Sequence, residues 1–144
     1  METILMEGSG MLGYFQEGVF QPQSDIPHFR RFLSRTGWEI RDEKMICEEG
    51  KYYPMMRAVP FHKTSGARPD SSGNEGLYSL EELFGKVLLK KKDPVLRSFL
   101  DREETLCARV EESLWHAKSA RGKRKSEEIR RYREMVRQAM ELMK

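Results

Sequence analysis

The feature that most restricts what this chain can fold into is the apolar stripe that follows Asp93-Pro94. Leu96, Phe99, Leu100, Leu106, Cys107, Val110 and Leu114 include the helical spacings 96/99, 96/100, 106/110, 107/110 and 110/114, which line one face of an α-helix. Asp93 offers an acceptor to the first free amides, and Pro94 has no amide to leave unpaired, which is the order expected at a helix start. A helix of roughly seven turns is predicted from there. Glu103 interrupts the stripe, which favours packing on a sheet or another helix over a strict coiled-coil seam, while a homodimer through these C-terminal helices is left open. Arg121-Gly122 marks a kink or an end. Ser126 is expected to cap a final helix in which Ile129, Tyr132, Val136, Ala139, Met140 and Met143 again share a face.

Upstream the pattern changes. Met1 to Gln23 carries four glycines among scattered apolar residues and follows neither helical nor alternating period, so only short extended pieces are expected. Ser24 is read as the cap of a helix with Pro27 in its first turn and Ile26, Phe29, Phe32 and Leu33 on one face, stopped by Gly37. From Trp38 to Val59, β-prone runs flank a charged tip at Arg41-Asp42-Glu43-Lys44 and a turn at Glu49-Gly50, which suggests a three-stranded antiparallel meander. Pro54 and Pro60 lack amide donors, so the last strand should lie at an edge or end there. Nine of the thirteen residues from Thr64 to Gly76 are Gly, Ser, Thr, Asn or Pro, a loop or linker composition. Ser79 and Glu82 then form a capping box ahead of Leu80, Leu83, Phe84, Val87 and Leu88, and Lys90-Lys91-Lys92 suits the C-terminal end of a helix.

These pieces add up to an α+β fold: an N-terminal helix with a small antiparallel β-meander, followed by two or three C-terminal helices. The expected organisation is a small α+β body over 1–63, a polar loop or linker over 64–76, and a helical region with a basic C-terminal part over 77–144.

Charge is distributed unevenly. The net +3 of the 144 residues conceals a last segment, Trp115 to Lys144, with ten basic and four acidic residues, a net +6. Within it, Lys118 to Arg133 holds eight basic residues and two acidic ones. A helix or arm there could run Lys118, Arg121, Lys123, Arg124, Lys125, Arg130, Arg131 and Arg133 along a phosphate backbone, with Tyr132 available for stacking. The opposing reading is a solvated face, since Glu127 and Arg131, and Arg130 and Glu134, are i,i+4 partners that neutralise part of it. Tyr52, Tyr53, Met55 and Met56 near a proline-marked edge form a second candidate, a protein-binding surface, set against the plainer reading of core residues.

Catalytic and metal-binding constellations are not legible. Gly8-Ser9-Gly10-Met11-Leu12-Gly13 matches the dinucleotide glycine pattern, but Gly18 and Pro22 break any following helix and no βαβ unit is predicted. His28, His62, His116, Cys47 and Cys107 are too dispersed for a metal site. Both cysteines adjoin aliphatic residues, where a thiol stays protonated, and two cysteines are too few for a disulfide scaffold. Adjacent glutamates such as Glu103-Glu104 and Glu111-Glu112 diverge on a helix instead of converging on a substrate. No apolar run is long enough to span a bilayer, and Glu2 and Glu7 stand where a secretory signal would be basic. The expectation is therefore a non-enzymatic intracellular regulator, cytoplasmic or nuclear, without cofactor, metal or membrane attachment, that binds nucleic acid or a ribonucleoprotein through its basic C-terminal helical region. The alternative is a protein-interaction module, an adaptor or inhibitor of a larger enzyme encoded by a virus or mobile element.

Overall fold

The computed structural model describes residues 16–61 and 76–144. In chain order these form β1 (Gly18–Phe20), α1 (Ile26–Arg35), β2 (Trp38–Glu48), β3 (Lys51–Pro60), α2 (Leu80–Phe84), α3 (Lys86–Lys91), α4 (Pro94–Leu114) and α5 (Ala120–Leu142). They belong to two compact units, one ending at Lys91 and the other covering Lys92–Lys144. The glycine pattern at Gly8–Gly13 and most of the polar stretch expected as a linker lie outside the described residues. Among the described residues, no helix is long and apolar enough to cross a membrane.

The expected α+β order, with a helix leading and a meander after it, is corrected. A strand comes first, and the sheet has the order β1-β3-β2. Gly18, Val19 and Phe20 pair antiparallel with Ala58, Arg57 and Met56. A strand of three residues has no readable period, and its partners lie nearly forty positions downstream, so local pattern could not announce it. β2 and β3 form one long hairpin from Trp38↔Pro60 to Glu48↔Lys51. Its turn is Glu49-Gly50, with φ of +49° and +75°, the left-handed pair that matches the twist of two antiparallel strands. The charged stretch expected as a turn, Arg41–Lys44, is mid-strand: Arg41 is the extra residue of a bulge between Ile40 and Asp42. β3 is central in the sheet, although it does end at Pro60. At Pro54 it is flanked by β2 alone, because β1 stops opposite Met56, so a missing amide costs little there.

α1 begins after Asp25, which adopts a left-handed conformation and makes no side-chain cap; Ser24 is not the cap. Its buried face, Phe29 and Leu33, packs with Trp38, Met56 and Ala58 as a core, with Phe20, Ile26, Phe32 and Ile40 around it. Phe20 meets Phe29 and Trp38 edge-on at centroid distances of 5.6 and 5.9 Å, the favourable quadrupole geometry. Met56 is fully buried, contributing about 1.5–3 kcal/mol by leaving water. It is therefore corrected from surface anchor to core residue, while Tyr52, Tyr53 and Met55 are half-buried.

An ionic layer joins α1, β2 and α2 within this unit. The Arg30 and Glu43 side chains are 4% and 1% exposed and ion-paired. Arg30 also donates to the Glu82 and Leu83 carbonyls at 2.8 and 2.9 Å. Gly85, at φ +87°, follows immediately, and a Cβ there would lie 2.5 Å from Glu43 Oε2. Only glycine meets both demands, the left-handed backbone and the close approach of the carboxylate. Arg31 adds a two-pronged contact to Glu82 at 2.7 and 2.8 Å and lies 4.4 Å over the Tyr78 ring. Glu82 in turn closes the expected capping box with Ser79. The Arg31 guanidinium holds the Glu82 carboxyl below the usual carboxylate range.

The second unit is an α4–α5 hairpin. The Asp93 carboxylate accepts from the Val95 and Leu96 amides at 2.9 and 3.0 Å, as its cap position requires. Leu96, Leu100 and Cys107 of α4, and Val136 and Ala139 of α5, are buried, as is Met143 just beyond. The helices separate earlier than the sequence suggests. α4 ends at Leu114, α5 starts at Ala120 with Ser119 accepting from the Gly122 amide, and Ser126 lies inside the helix. Gly122 does not kink the helix; it admits Ala117, whose Cβ would stand 2.6 Å from a Cβ at that position.

Cys107 is buried and Cys47 exposed, and burial pushes the Cys107 thiol up, with Glu103 and Glu104 adding to the shift. Thiolate is the reactive form, so a colorimetric disulfide reagent is expected to titrate one thiol at once and the second only on unfolding. Equal rates for both would contradict the packing of α4 on α5.

Candidate nucleic-acid interface

The hairpin sorts the eight expected nucleic-acid-binding residues into two groups. α4 presents Glu104 and Glu111 one heptad apart, on the side that faces α5. Arg133 bonds Glu104 at 2.8 Å and is ion-paired with Glu111; Arg137 reaches Glu104 at 3.0 Å. Arg130 lies 3.4 Å from Glu127 and 3.7 Å from Glu111, and Arg131 3.3 Å from Glu127. Lys125 is 3.6 Å from Glu128. Arg133 is the most enclosed of these cations, with a side chain 22% exposed, and its two carboxylate partners raise its already high pKa further. Arg133 principally and Arg137 beside it hold the Glu104 carboxyl below its ordinary value of 4.5. Tyr132, expected to be available for stacking, instead donates to Glu103 at 2.8 Å. Burial first, and then Glu103, push its phenol well above the ordinary tyrosine range.

Lys118, Arg121, Lys123 and Arg124 form the other group. All four are exposed, and among the described residues none has a carboxylate within ion-pair distance. They occupy the turn before α5 and its first turn and a half. The positive surface is thus concentrated at the tip of the hairpin, where α4 brings no glutamate across. Beside them stands Trp115, 78% exposed, which is not legible as a surface residue in the sequence because a lone tryptophan after an apolar stripe reads as its continuation. The Glu104 and Glu111 spacing was a readable signal of the opposite kind, a seven-residue repeat facing Arg133.

Among the described residues, no group of three or more His, Cys, Asp or Glu could hold a metal ion. Tyr52, Tyr53 and Met55 lie on β3 at the far end of the sheet from Trp38, away from the hairpin cations in sequence and in a different unit.

A small antiparallel sheet followed by a helical hairpin recurs within longer solved structures, tRNA methyltransferases among them. The structure of an uncharacterized protein from Listeria monocytogenes serotype 4b superposes with a TM-score of 0.78 at 21% identity, covering 96% of this chain and 56% of that one. The B. subtilis tRNA methyltransferase TrmK gives 0.74 at 24% identity, covering 96% and 57%. M. capricolum TrmK in complex with S-adenosyl-homocysteine gives 0.68 at 17%, covering 99% and 57%. The family model described as TrmK, tRNA (adenine(22)-N(1))-methyltransferase, matches residues 1–143, and the chain belongs to that family. A comparison with curated proteins finds no match. The chain spans a little over half the length of the solved structures it resembles.

Membership overturns the expectation of a non-enzymatic regulator and, with it, the adaptor, inhibitor and viral or mobile-element alternative: the family is one of enzymes. The misreading has a physical origin. Methyl transfer to a ring nitrogen can rely largely on position and orientation of two bound partners, so it need not leave converging acids, bases, thiols or metal ligands in a sequence. The described residues do not by themselves fit a nucleotide-like methyl donor. All their strand pairings are antiparallel, and none of their glycines lies in a turn from a parallel strand into a helix, the arrangement that cradles such a ligand. No step through a donor is therefore derived from them.

Proposed function

We propose that this chain serves, in the cytoplasm, the N1-methylation of an adenine in tRNA, and that the tip of its α4–α5 hairpin grips the RNA. The observation that carries this reading is the row Lys118, Arg121, Lys123 and Arg124, exposed and without carboxylate partners among the described residues, in a member of a tRNA methyltransferase family. Lys118 just before α5 and Arg121, Lys123 and Arg124 in its first turn and a half gather four like charges that repel one another, a repulsion that a phosphate backbone would relieve. A cluster of cations without neutralising glutamates among the described residues favours a polyanionic partner. A structural relative, the Streptococcus pneumoniae protein Sp1610, was solved with S-adenosyl-L-methionine, which supports that compound as the methyl donor although the described residues do not by themselves form its site.

Two measurements test the two halves of the proposal. In a mobility-shift titration at low salt, replacing Lys118, Arg121, Lys123 and Arg124 with glutamine is expected to weaken tRNA binding about a hundredfold and to reduce the salt slope by about 3. Binding that is absent in the unaltered protein, or insensitive to these replacements, would sink the RNA-gripping half. Incubation with tRNA and S-adenosylmethionine, followed by mass analysis of the nucleosides, is expected to yield N1-methyladenosine. tRNA that is bound but never methylated would sink the catalytic half.

A further inference from the structure

Trp115 is the most exposed large apolar side chain among the described residues, at 78%. A tryptophan can bury 150–250 Å² when it packs, so leaving one in water forgoes several kcal/mol at the usual value per unit area. Its position is held firmly. Trp115 is itself helical in backbone and donates to the Glu112 carbonyl at 3.3 Å, and Ala117 donates to Leu114 at 2.9 Å. The Ala117 methyl seats against Gly122, where a Cβ would be 2.6 Å away, and Ser119 caps α5 through the Gly122 amide at 3.0 Å. The five-residue turn is therefore tied at both ends, and the indole is displayed from it without a folded-state partner among the described aromatic contacts.

The surroundings say what such a display suits. Lys118 and Arg121 follow within six residues, and Lys123 and Arg124 complete the only run of exposed cations of this hairpin that lacks carboxylate partners among the described residues. An aromatic face beside uncommitted cations is the arrangement by which proteins hold single-stranded nucleic acid, with bases stacked on the ring and phosphates on the charges. A base inside a duplex has no free face, so the preference is for a loop or an unpaired end. We propose that Trp115 is a base-stacking platform: the hairpin tip takes an unpaired RNA base on its indole, while Lys118, Arg121 and Arg124 hold the adjoining phosphates. This rests on the reading that the hairpin grips RNA, and it adds the class of RNA element that the tip selects.

The test uses the full chain with two probes, an unstructured RNA oligonucleotide and a perfect RNA duplex. Of the two tryptophans, Trp38 is buried in the core at 6%, so the quenchable fluorescence belongs mainly to Trp115. Single-stranded RNA is expected to quench it, and the duplex to leave it little changed. Trp115→Ala is expected to lose about 5- to 150-fold in single-strand affinity, Trp115→Phe to retain most of it, and neither to alter duplex affinity or the salt slope. If Trp115→Ala binds the oligonucleotide as tightly as the parent while glutamine at Lys118, Arg121 and Arg124 abolishes binding, stacking is overturned and the electrostatic grip survives. RNA that fails to bind any form overturns both. A Trp115→Ala variant unchanged toward RNA but altered in sedimentation would assign the indole to a protein contact and overturn the proposal.

Discussion

Arg30→Ala is expected to lower the unfolding free energy of the protein by about 3–5 kcal/mol, the usual effect of removing one member of a buried ion pair. The guanidinium is enclosed with Glu43 and also satisfies the Glu82 and Leu83 carbonyls. Its loss takes the guanidinium from a buried carboxylate and from two carbonyls at the end of α2 together. Arg30→Met combined with Glu43→Leu is expected to recover part of the loss, because no charge then remains to desolvate, though the carbonyls still lack a donor. Urea denaturation of the single and double variants makes the comparison. If Arg30→Ala cost less than 1 kcal/mol, or the double variant were worse than the single, the pair would not be the buried joint between α1, β2 and α2 that the geometry describes.

Arg133→Met and Arg124→Met are expected to act in opposite places, although both lie in the same basic run. Arg133 is held between Glu104 and Glu111, so its replacement should destabilise the hairpin by about 1–2 kcal/mol, a partly screened network value, and leave RNA affinity close to that of the parent. Arg124 has no carboxylate partner among the described residues, so its replacement should leave stability unchanged and weaken RNA binding several-fold at low salt. Acid provides a second readout of the Glu104 network. Its folded-state pKa lies below the ordinary 4.5, so its contribution is complete above 4.5 and disappears as pH falls through the lower folded-state value. Arg133→Met should flatten that acid limb. An Arg133 variant with full stability and weakened RNA binding would reverse the division of the basic run.

Several local features were readable without coordinates because their causes are local. The Asp93-Pro94 start, the Ser79–Glu82 capping box, the Glu49-Gly50 turn and the apolar faces of α1, α4 and α5 each depend on residues within a few positions of one another. The errors fall where a distant partner decides. Arg41–Lys44 has the composition of a turn, yet it continues β2, because Arg30 thirteen residues earlier compensates Glu43 and a bulge absorbs Arg41. The eight cations of the basic run look equivalent in sequence, yet α4 takes Arg133 and part of Arg130 through glutamates nineteen to twenty-nine residues upstream. Ser119 and Ser126 compete as caps, and the choice fell to Ser119 because Gly122 lets Ala117 close the turn.

By itself, the order of residues determined that the last fifty positions would be helical, that the middle would be antiparallel strands with a turn at Glu49-Gly50, and that positive charge would gather near the end, since helical period, turn chemistry and net charge are short-range or additive properties. Tertiary structure alone decided that β1 joins the sheet ahead of any helix, that Met56 is core, and which cations remain uncommitted. The physical reason is the same for all three: strand pairing, burial and charge compensation are settled by groups far apart in sequence, which only the folded chain brings within reach of one another.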